Sequence, residues 1–400
     1  RGMLNGKTVI VTGAGGNLGA AVGRLAMEAG ATVVLADFSA ERIAACFPEL
    51  AAPHRMVACG NLTQLADCRD IVDACLDATE KTGRQLWGPA RYAAYRIALD
   101  GPAALAAATI EPGVVRFGLG PLTEVVAQRH TFADLAPHLD ATVAPVVAQE
   151  RVLRGEDLRD DARARGASDD PPLVLQPFEP AYVLPEYRDD ERLDGAVPDP
   201  VGADGGAVTA AREAGRAVPP PDVARVARAL EDVVAPWAVQ SDGAVHVRAV
   251  PGDVDAAVGA VLADAGITRP VPTGPVPTPT LLALLAHAGA SGGVHGRRRG
   301  GAAGRAHAWW VARCATGLAT VDALDPDELE YRLEDVDRRV FRSPGEAAWR
   351  LEVALGVRAA DGGKWAVAVA AFDRTEDPDV TDPQRGEDGT GDGDGTEVWG

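Results

Sequence analysis

The sequence predicts an α/β fold, with a βαβαβα half-domain at the N-terminus and a mixed α/β and α+β region after it. Strand and helix patterns alternate regularly over about the first 84 residues. After residue 84, alanine-rich helical patterns replace the short strands, and paired strand patterns return only over residues 350–372. The composition changes at the same place, because every Met and Asn precedes residue 84 and every Trp follows it.

The N-terminal half-domain is predicted from three strand patterns and three helical patterns. The strands are expected at residues 7–12, 31–37 and 56–59, and the helices at 18–30, 40–50 and 65–82. Strands joined by helices in this way form a parallel sheet with right-handed crossovers. We therefore expect a domain at residues 1–84 and, near residue 83, a junction to an unrelated segment through gene fusion or a joining error.

Residues 85–154 are predicted to form a helical and mixed region. Its helices are expected at 91–108 and 123–149, with a strand at 114–119. Residues 155–221 are rich in Pro, Gly and Asp, and only residues 173–175 have a strand pattern. Such segments bury too little apolar surface to offset the entropy lost on ordering. We expect 155–221 to be a disordered acidic linker and 373–400 to be a disordered acidic tail.

Residues 222–372 are predicted to form an α+β domain. Helical patterns lie at 222–234, 254–265, 281–288 and 302–318, and strand patterns lie at 244–250, 350–357 and 365–372. The sequence Asp361-Gly362-Gly363 between the last two strands indicates a β-hairpin. The repeated prolines of residues 269–280 favour an extended linker.

The net charge of −19 is concentrated in the linker and the tail. Residues 156–204 contain fourteen acidic and five basic residues, and residues 373–400 contain ten and two. This balance disfavours nucleic acid as a partner. No apolar run reaches the ~20 residues of a membrane helix and no signal peptide is recognisable, so a cytoplasmic protein without membrane contact is expected. The five cysteines form no C-x-x-C pair, which disfavours disulfides and metal sites.

A glycine-rich turn, TGAGGNLG, joins the first strand to the first helix. Gly13 permits a tight turn, Gly16 lets the backbone approach a pyrophosphate, and Gly19 allows the helix to pack closely on the strand. Backbone N–H groups at the start of the helix, at Asn17 and Leu18, favour phosphate oxygens. The turn therefore predicts a phosphate site of the kind that binds a dinucleotide.

Asp37 ends the second strand, eighteen residues after Gly19. At this position a carboxylate accepts both hydroxyl groups of a ribose and repels a 2′-phosphate. The sequence therefore predicts NAD as the preferred cofactor over NADP.

The segments VIVTGAGGNLGAAV, VVLADFS and CGNLTQ resemble the first three strand ends of the short-chain dehydrogenase/reductase family, in order and spacing. The resemblance covers residues 3–83 and implies a Rossmann-type, dinucleotide-binding, oxidoreductase-like fold. It also places Asn61 and Leu62 beside the adenine, where many family members have Asp at the position of Asn61. In the commoner form of the family motif, a glycine stands at the position of Asn17.

The resemblance implies hydride transfer assisted by a Tyr-x-x-x-Lys pair, in which the lysine lowers the pKa of the tyrosine. The residues four positions before the three lysines are Met3, Asp77 and Ala360. Tyr92 and Arg96 have the spacing of the pair but are interpreted as neighbours on a helix surface. We therefore expect a catalytically incomplete protein and assign no catalytic residue.

An alternative function comes from residues 265–321, which contain six arginines and no acid. The candidate anion-binding residues lie in or beside a glycine-rich loop at 295–305 and are Arg297, Arg298, Arg299 and Arg305. Guanidinium groups and the N–H groups of a helix start bind phosphate or carboxylate, and the chain's own acidic tail is one candidate ligand. A solvated surface loop is the other interpretation.

The segment GASGG around Ser291 matches the G-x-S-x-G motif of serine hydrolases. That motif requires a strand before the serine. Because a helix is predicted there, a hydrolase that uses Ser291 is the third and least supported interpretation.

Overall fold

The computed structural model describes residues 4, 7–48, 55–59, 87–110, 119–166, 171–189, 191–195, 206–211, 217–322, 324–345 and 347–373. The chain folds into two compact units. The first comprises Arg1–Pro177, Tyr182–Ala196 and Arg299–Ala303, and the second comprises Phe178–Ala181, Val197–Arg298 and Gly304–Gly400. The predicted junction near residue 83, the predicted helix at 65–82 and residues 374–400 lie outside the described residues.

The first unit begins with the predicted parallel sheet. Its strands are β1 (Thr8–Thr12), β2 (Thr32–Asp37) and β3 (Arg55–Cys59), and they pair in that order in parallel. The connecting helices are α1 (Asn17–Glu28) and α2 (Ala40–Cys46). β2 is central, and its apolar side chains pack in a core with Ile43 and Phe47. The N-terminal βαβαβ order is therefore confirmed.

The helical part of the first unit is more broken than predicted. Its helices are α3 (Trp87–Asp100), α4 (Ala103–Ala108), α5 (Leu122–Arg129), α6 (Phe132–Leu135) and α7 (Ala144–Val152). Pro102 separates α3 from α4, because proline lacks an N–H group and its ring crowds the preceding turn. Thr131 marks the break between α5 and α6, because its Oγ1 accepts a hydrogen bond from the Asp134 N–H and so caps the start of α6.

The predicted disordered linker is wrong for much of its length. Leu158, Leu173 and Tyr187 are buried in the core of the first unit, together with side chains of α3 to α7. Residues 173–175 form no strand, but the Leu158 N–H donates to the Leu173 carbonyl oxygen at 2.8 Å. A short antiparallel pair, β4 (Glu186–Tyr187) and β5 (Arg192–Leu193), follows. In the described parts of this acidic segment, these few apolar side chains thus pack in the core.

The second unit contains a six-stranded sheet in the order β6-β8-β9-β10-β11-β7, paired antiparallel throughout. Its strands are β6 (Ala207–Val208), β7 (Ala244–Pro251), β8 (Val271–Pro275), β9 (Arg338–Phe341), β10 (Trp349–Arg358) and β11 (Lys364–Asp373). The predicted β10–β11 hairpin is confirmed, and Gly362 has a φ of +84° in its turn. That left-handed conformation explains the glycine at this position.

The predicted extended linker at 269–280 is wrong, because β8 lies inside it. Prolines are tolerated there because β8 is short and its neighbour β6 contributes only two residues. The sequence also gave no signal for β9, whose Arg338 and Arg339 obscure a strand pattern. All four helices predicted for this unit are present, with one more after them.

The second unit also contains helices among its described residues, and the first two of them pack against β7 and β11. They are α8 (Pro221–Gln240), α9 (Val254–Asp264), α10 (Thr278–Ala290), α11 (Gly301–Ala315, whose first three residues belong to the first unit) and α12 (Pro326–Glu334). The side chains of α9 form a core with alternate residues of β11. In the ranges described, no helix has the length and apolarity needed to cross a bilayer.

A leucine substitution tests whether the acidic segment is folded. Leu173→Ala should destabilise the protein by about 2–5 kcal/mol, because it leaves a cavity in the core of the first unit. Leu193→Ala is the matched control, since Leu193 lies in the same segment but is 38% exposed. The measurement is chemical unfolding of both variants. Equal, small effects would show that the segment is the solvated linker that its composition predicts.

Candidate functional site

The predicted phosphate turn forms between β1 and α1. Gly13 has a φ of +66°, which favours glycine, and nothing lies within 4 Å of a Cβ built there. The Gly16 N–H donates to the Gly13 carbonyl oxygen at 2.9 Å. Gly16 is the N-cap residue of α1, and no side chain caps the first turn of that helix. The turn therefore presents backbone rather than side chains.

Gly19 holds α1 close to the end of β1. A Cβ at this position would lie 2.2 Å from the Gly13 carbonyl oxygen, a distance that the backbone cannot accommodate without moving. This is the close helix–strand packing that the sequence pattern predicts for its last glycine. Asn17 and Leu18, at the start of α1, are exposed, and Leu18 is 80% exposed.

Asp37 closes the turn from the end of β2. Its Oδ2 accepts a hydrogen bond from the Gly15 N–H at 2.8 Å, and its Oδ1 accepts one from the Phe38 N–H at 2.8 Å. Asp37 is only 7% exposed. A carboxylate has about four acceptor positions, and two of those of Asp37 are used to fix the turn. Asp37 thus has a structural role that the sequence did not reveal.

Gly15 and Arg42 belong to this site but were missed in the sequence. A Cβ on Gly15 would lie 2.8 Å from the Cβ of Arg42 and 3.1 Å from Asp37 Oδ2. The Arg42 Nη2 atom lies 3.4 Å from the Gly15 carbonyl oxygen, and the Cys46 Sγ atom lies 3.6 Å from the same oxygen. The signal available in the sequence was the pair of adjacent glycines, Gly15 and Gly16, because a side chain at Gly15 would crowd the Asp37 carboxylate.

Other predicted site residues are not brought to this turn by the described structure. Asn61 and Leu62 lie outside the described residues. Arg96 forms ion pairs with Asp100 and Asp189, each at 2.5 Å, as expected of a helix surface.

Arg305 is not an anion-binding residue of an exposed loop. It lies on α11, and its Nε and Nη2 atoms donate to the two carboxylate oxygens of Glu179 at 2.8 and 2.6 Å. Both side chains are 0% exposed. The Trp309 Nε1 atom also donates to Glu179, at 2.9 Å. Arg305 is therefore buried against an internal carboxylate and does not lie on an exposed loop.

The start of α11 binds carboxylates of its own unit. The Gly301 N–H donates to Glu124 Oε1 at 3.1 Å, and the Ala302 N–H donates to Glu150 Oε1 at 2.8 Å. Glu124 and Glu150 are 0% and 1% exposed. The sequence predicted phosphate or carboxylate at this helix start, and the structure shows two internal carboxylates. They satisfy two of the four free N–H groups at this helix start.

The arginine-rich loop itself is also fixed at several points. Asp373 Oδ2 accepts a hydrogen bond from the Val294 N–H at 2.6 Å, and Ser241 Oγ accepts one from the His295 N–H at 3.0 Å. Arg297 is exposed, whereas Arg298 and Arg299 are half-buried and already have interaction partners. Arg297 and Arg298 belong to the second unit and Arg299 to the first.

Ser291 does not form a nucleophile elbow. It is 2% exposed and caps the C-terminus of α10, so that a helix rather than a strand precedes it. Its Oγ accepts a hydrogen bond from the Gly293 N–H at 2.9 Å. The hydrolase interpretation is therefore wrong.

Burial also raises the pKa of the Cys314 thiol to about 12, which keeps this cysteine protonated and unreactive.

The buried Arg305–Glu179 pair gives a stability prediction. Glu179→Ala should lower the free energy of unfolding by about 3–5 kcal/mol, because it leaves a buried guanidinium without its counter-ion. Asp157→Ala is the control, since it breaks an ion pair with Arg159 that is exposed, and it should leave the unfolding midpoint unchanged. Urea unfolding followed by tryptophan fluorescence measures both. A Glu179→Ala midpoint equal to that of the control would contradict the prediction.

Comparison with known proteins identifies the N-terminal segment. A family model for short chain dehydrogenases matches residues 7–83, which confirms the resemblance seen in the sequence. This segment is therefore oxidoreductase-like and has a dinucleotide-binding fold. The matched range includes the glycine turn and Asp37.

Two solved structures are similar to part of the chain. A short chain dehydrogenase from Mycobacterium smegmatis is 22% identical, with 27% of this chain and 52% of that chain covered and a TM-score of 0.19. A hydroxysteroid dehydrogenase from Escherichia coli is 18% identical, with 38% and 64% covered and a TM-score of 0.19. The chain thus spans less than two thirds of the length of either structure.

No curated protein matches the chain. A second family model, described as a family of unknown function (DUF6183), matches residues 55–373. The two family matches overlap over residues 55–83. Because the second match covers most of the 400 residues, this chain belongs to the DUF6183 family.

Proposed function

We propose that the glycine turn binds the pyrophosphate of NAD and that Asp37 binds its adenosine ribose. The observation that supports this most is the bond between the Gly15 N–H and Asp37 Oδ2 at 2.8 Å. It links the two predicted contact points, the phosphate turn and the ribose acceptor, directly to each other. A link within the fold itself lowers the ordering cost of binding.

The fit of the pyrophosphate rests on the backbone of Gly13, Gly16 and the first turn of α1. No Cβ fills the space beside Gly13, and no side chain caps α1. No acidic residue lies in the first turn of that helix, so its positive dipole end is not compensated locally. These features favour a bound anion, and Asn17 and Leu18 would flank it.

The choice between NAD and NADP depends on Asp37 and Arg42. Asp37 would repel a 2′-phosphate, which favours NAD. Arg42 is exposed and approaches the same turn, with its Nη2 atom 3.4 Å from the Gly15 carbonyl oxygen, and an arginine in such a place can accept a 2′-phosphate. We assign NAD because Asp37 is held in place by two hydrogen bonds, while Arg42 has an exposed and adaptable side chain.

We further propose that the chain does not transfer hydride by the mechanism of the short-chain dehydrogenases. Bound NAD would supply a hydride acceptor, but a positioned acid or base is needed beside the substrate. The sequence contains no Tyr-x-x-x-Lys pair. The pair with the same spacing is Tyr92 and Arg96, and Arg96 forms ion pairs with Asp100 and Asp189. Among the described residues, β1 pairs only with β2, and the strand predicted at 114–119 falls almost wholly outside them.

Anion binding at the arginine-rich loop is the alternative function. This alternative depends mainly on Arg297, which is exposed. Arg305 is buried, and the start of α11 already donates hydrogen bonds to Glu124 and Glu150. The nucleotide titration described next separates the two functions, since only the dinucleotide site depends on Gly13.

A matched pair of variants tests the cofactor site. The full chain should bind NAD saturably, and Gly13→Trp should weaken binding by at least about tenfold, because the indole would fill the pyrophosphate position. Gly155→Trp is the control, since Gly155 is also exposed, has a φ of +91°, and has nothing within 4 Å of a built Cβ. The measurement is calorimetric titration with NAD, NADP and inorganic phosphate. No binding by the parent, or equal binding by both variants, would reject the site.

Turnover is predicted to be absent. The full chain mixed with NADH or NAD and a broad panel of ketones and secondary alcohols should show no change in NADH absorbance, because the sequence contains no Tyr-x-x-x-Lys pair to act as the family's catalytic acid. Gly13→Trp serves as the blank. Turnover in the parent that this variant abolishes would reveal a catalytic group outside the known pair.

A further inference from the structure

Among its described residues, the second unit contains a cleft over one end of one face of its sheet. Along part of this face, α9 packs on Ala366 and Ala368 of β11. Alternate residues of a strand point to the same face, so the face continues through Phe372. In the strand register, Phe372 lies opposite Arg350 of β10 and Ala244 of β7. This end of the sheet forms the floor of the cleft.

The cleft has a volume of about 230 Å³ and is walled on two sides. Ala265 and Ile267, which follow α9, form one wall, and Pro344 and Ala347 of the β9–β10 loop form the other. His246 lines it from β7, with its ring centroid 6.2 Å from that of Phe372. The lining is thus mixed, with apolar and aromatic side chains beside the polar side chains of His246 and Arg350.

Arg350 is held rigidly at the edge of this cleft. Its Nη1 atom donates to the Ser343 carbonyl oxygen at 3.0 Å and to Glu352 Oε2 at 2.8 Å, and its Nη2 atom donates to the Gly345 carbonyl oxygen at 2.7 Å. A guanidinium group has five N–H donors, and these contacts account for three of them. The Nε atom is buried without a hydrogen-bond partner in the described structure.

Glu352 does not accept a hydrogen bond from this Nε–H group. Its Oε1 accepts a hydrogen bond from the Ser343 N–H at 3.0 Å, and its Oε2 accepts one from Arg350 Nη1. Burial raises the pKa of Glu352, and the neighbouring Arg350 opposes that rise. Ser343 is 3% exposed, and its Oγ is also buried without a partner. Of these two unpartnered groups, only the Arg350 Nε–H belongs to a side chain that lines the cleft, and a buried N–H group without an acceptor is costly unless a ligand or water satisfies it.

We propose that this cleft binds a small carboxylic acid with an aromatic body. The carboxylate would accept from the Arg350 guanidinium, and the ring would pack against Phe372 and Ile267. Arginine is the side chain best suited to a planar carboxylate, and aromatic rings pack favourably edge-to-face or offset. A volume below the ~300 Å³ of drug-sized pockets limits the ligand to about ten non-hydrogen atoms.

Benzoate is the probe for this site, with benzyl alcohol as its uncharged counterpart. We expect the full chain to bind benzoate saturably below about 10 mM, and benzyl alcohol at least about tenfold more weakly. Ligand-observed NMR and calorimetric titration measure both. Substitution of Arg350 is avoided as the main test, because it would also leave Glu352 without its partner and threaten folding.

Ala347→Phe and Ala348→Phe form the matched pair of variants. Ala347 lines the cleft, whereas its neighbour Ala348 is exposed and does not line it. Ala347→Phe should fill the cleft and weaken benzoate binding at least about tenfold, while Ala348→Phe should bind as the parent does. Absence of saturable benzoate binding would overturn the proposal. Equal binding of benzyl alcohol, or equal binding by the two variants, would overturn it as well.

Discussion

Hydrogen bonds from backbone N–H groups to buried carboxylates close the glycine-rich turns of this chain. Asp37 binds the Gly15 N–H at 2.8 Å, and Asp373 binds the Val294 N–H at 2.6 Å. At the start of α11, Glu124 and Glu150 do the same for two successive N–H groups. Charge-assisted bonds of this kind are about twice as strong as neutral ones. They let loops with few side chains adopt one conformation.

The same interaction separates the two candidate anion sites. Both α1 and α11 follow glycine-rich turns, and both present N–H groups that need an acceptor. At α11 the acceptors are the protein's own carboxylates, Glu124 and Glu150, which bind the first two N–H groups of the helix. At α1 the carboxylate of Asp37 binds the turn before the helix, and no side chain caps the helix itself. The first helix therefore remains the one that favours an external phosphate.

Local patterns in the sequence were sufficient to predict the N-terminal βαβαβ order and the C-terminal hairpin. Glycine spacing also predicted the close approach at Gly19. Long-range partners were not predictable, because Glu179 lies 126 residues from Arg305 and Glu124 lies 177 from Gly301. The acidic segment was misjudged for the same reason, since Leu158, Leu173 and Tyr187 fold only against helices formed elsewhere in the sequence. The composition of a segment indicates its solubility, but it does not show which part of the fold the segment packs against.

Hydrogen exchange of the full chain with and without NAD tests the central claim most directly, because it reports on both helix starts in one experiment. The account predicts that NAD slows exchange over residues 13–19, together with the end of β2 at Asp37, and leaves residues 293–302 unchanged. Internal carboxylates already accept hydrogen bonds from N–H groups of that second stretch. Slower exchange at 293–302, or no change at 13–19, would contradict the assignment of the external anion to the start of α1.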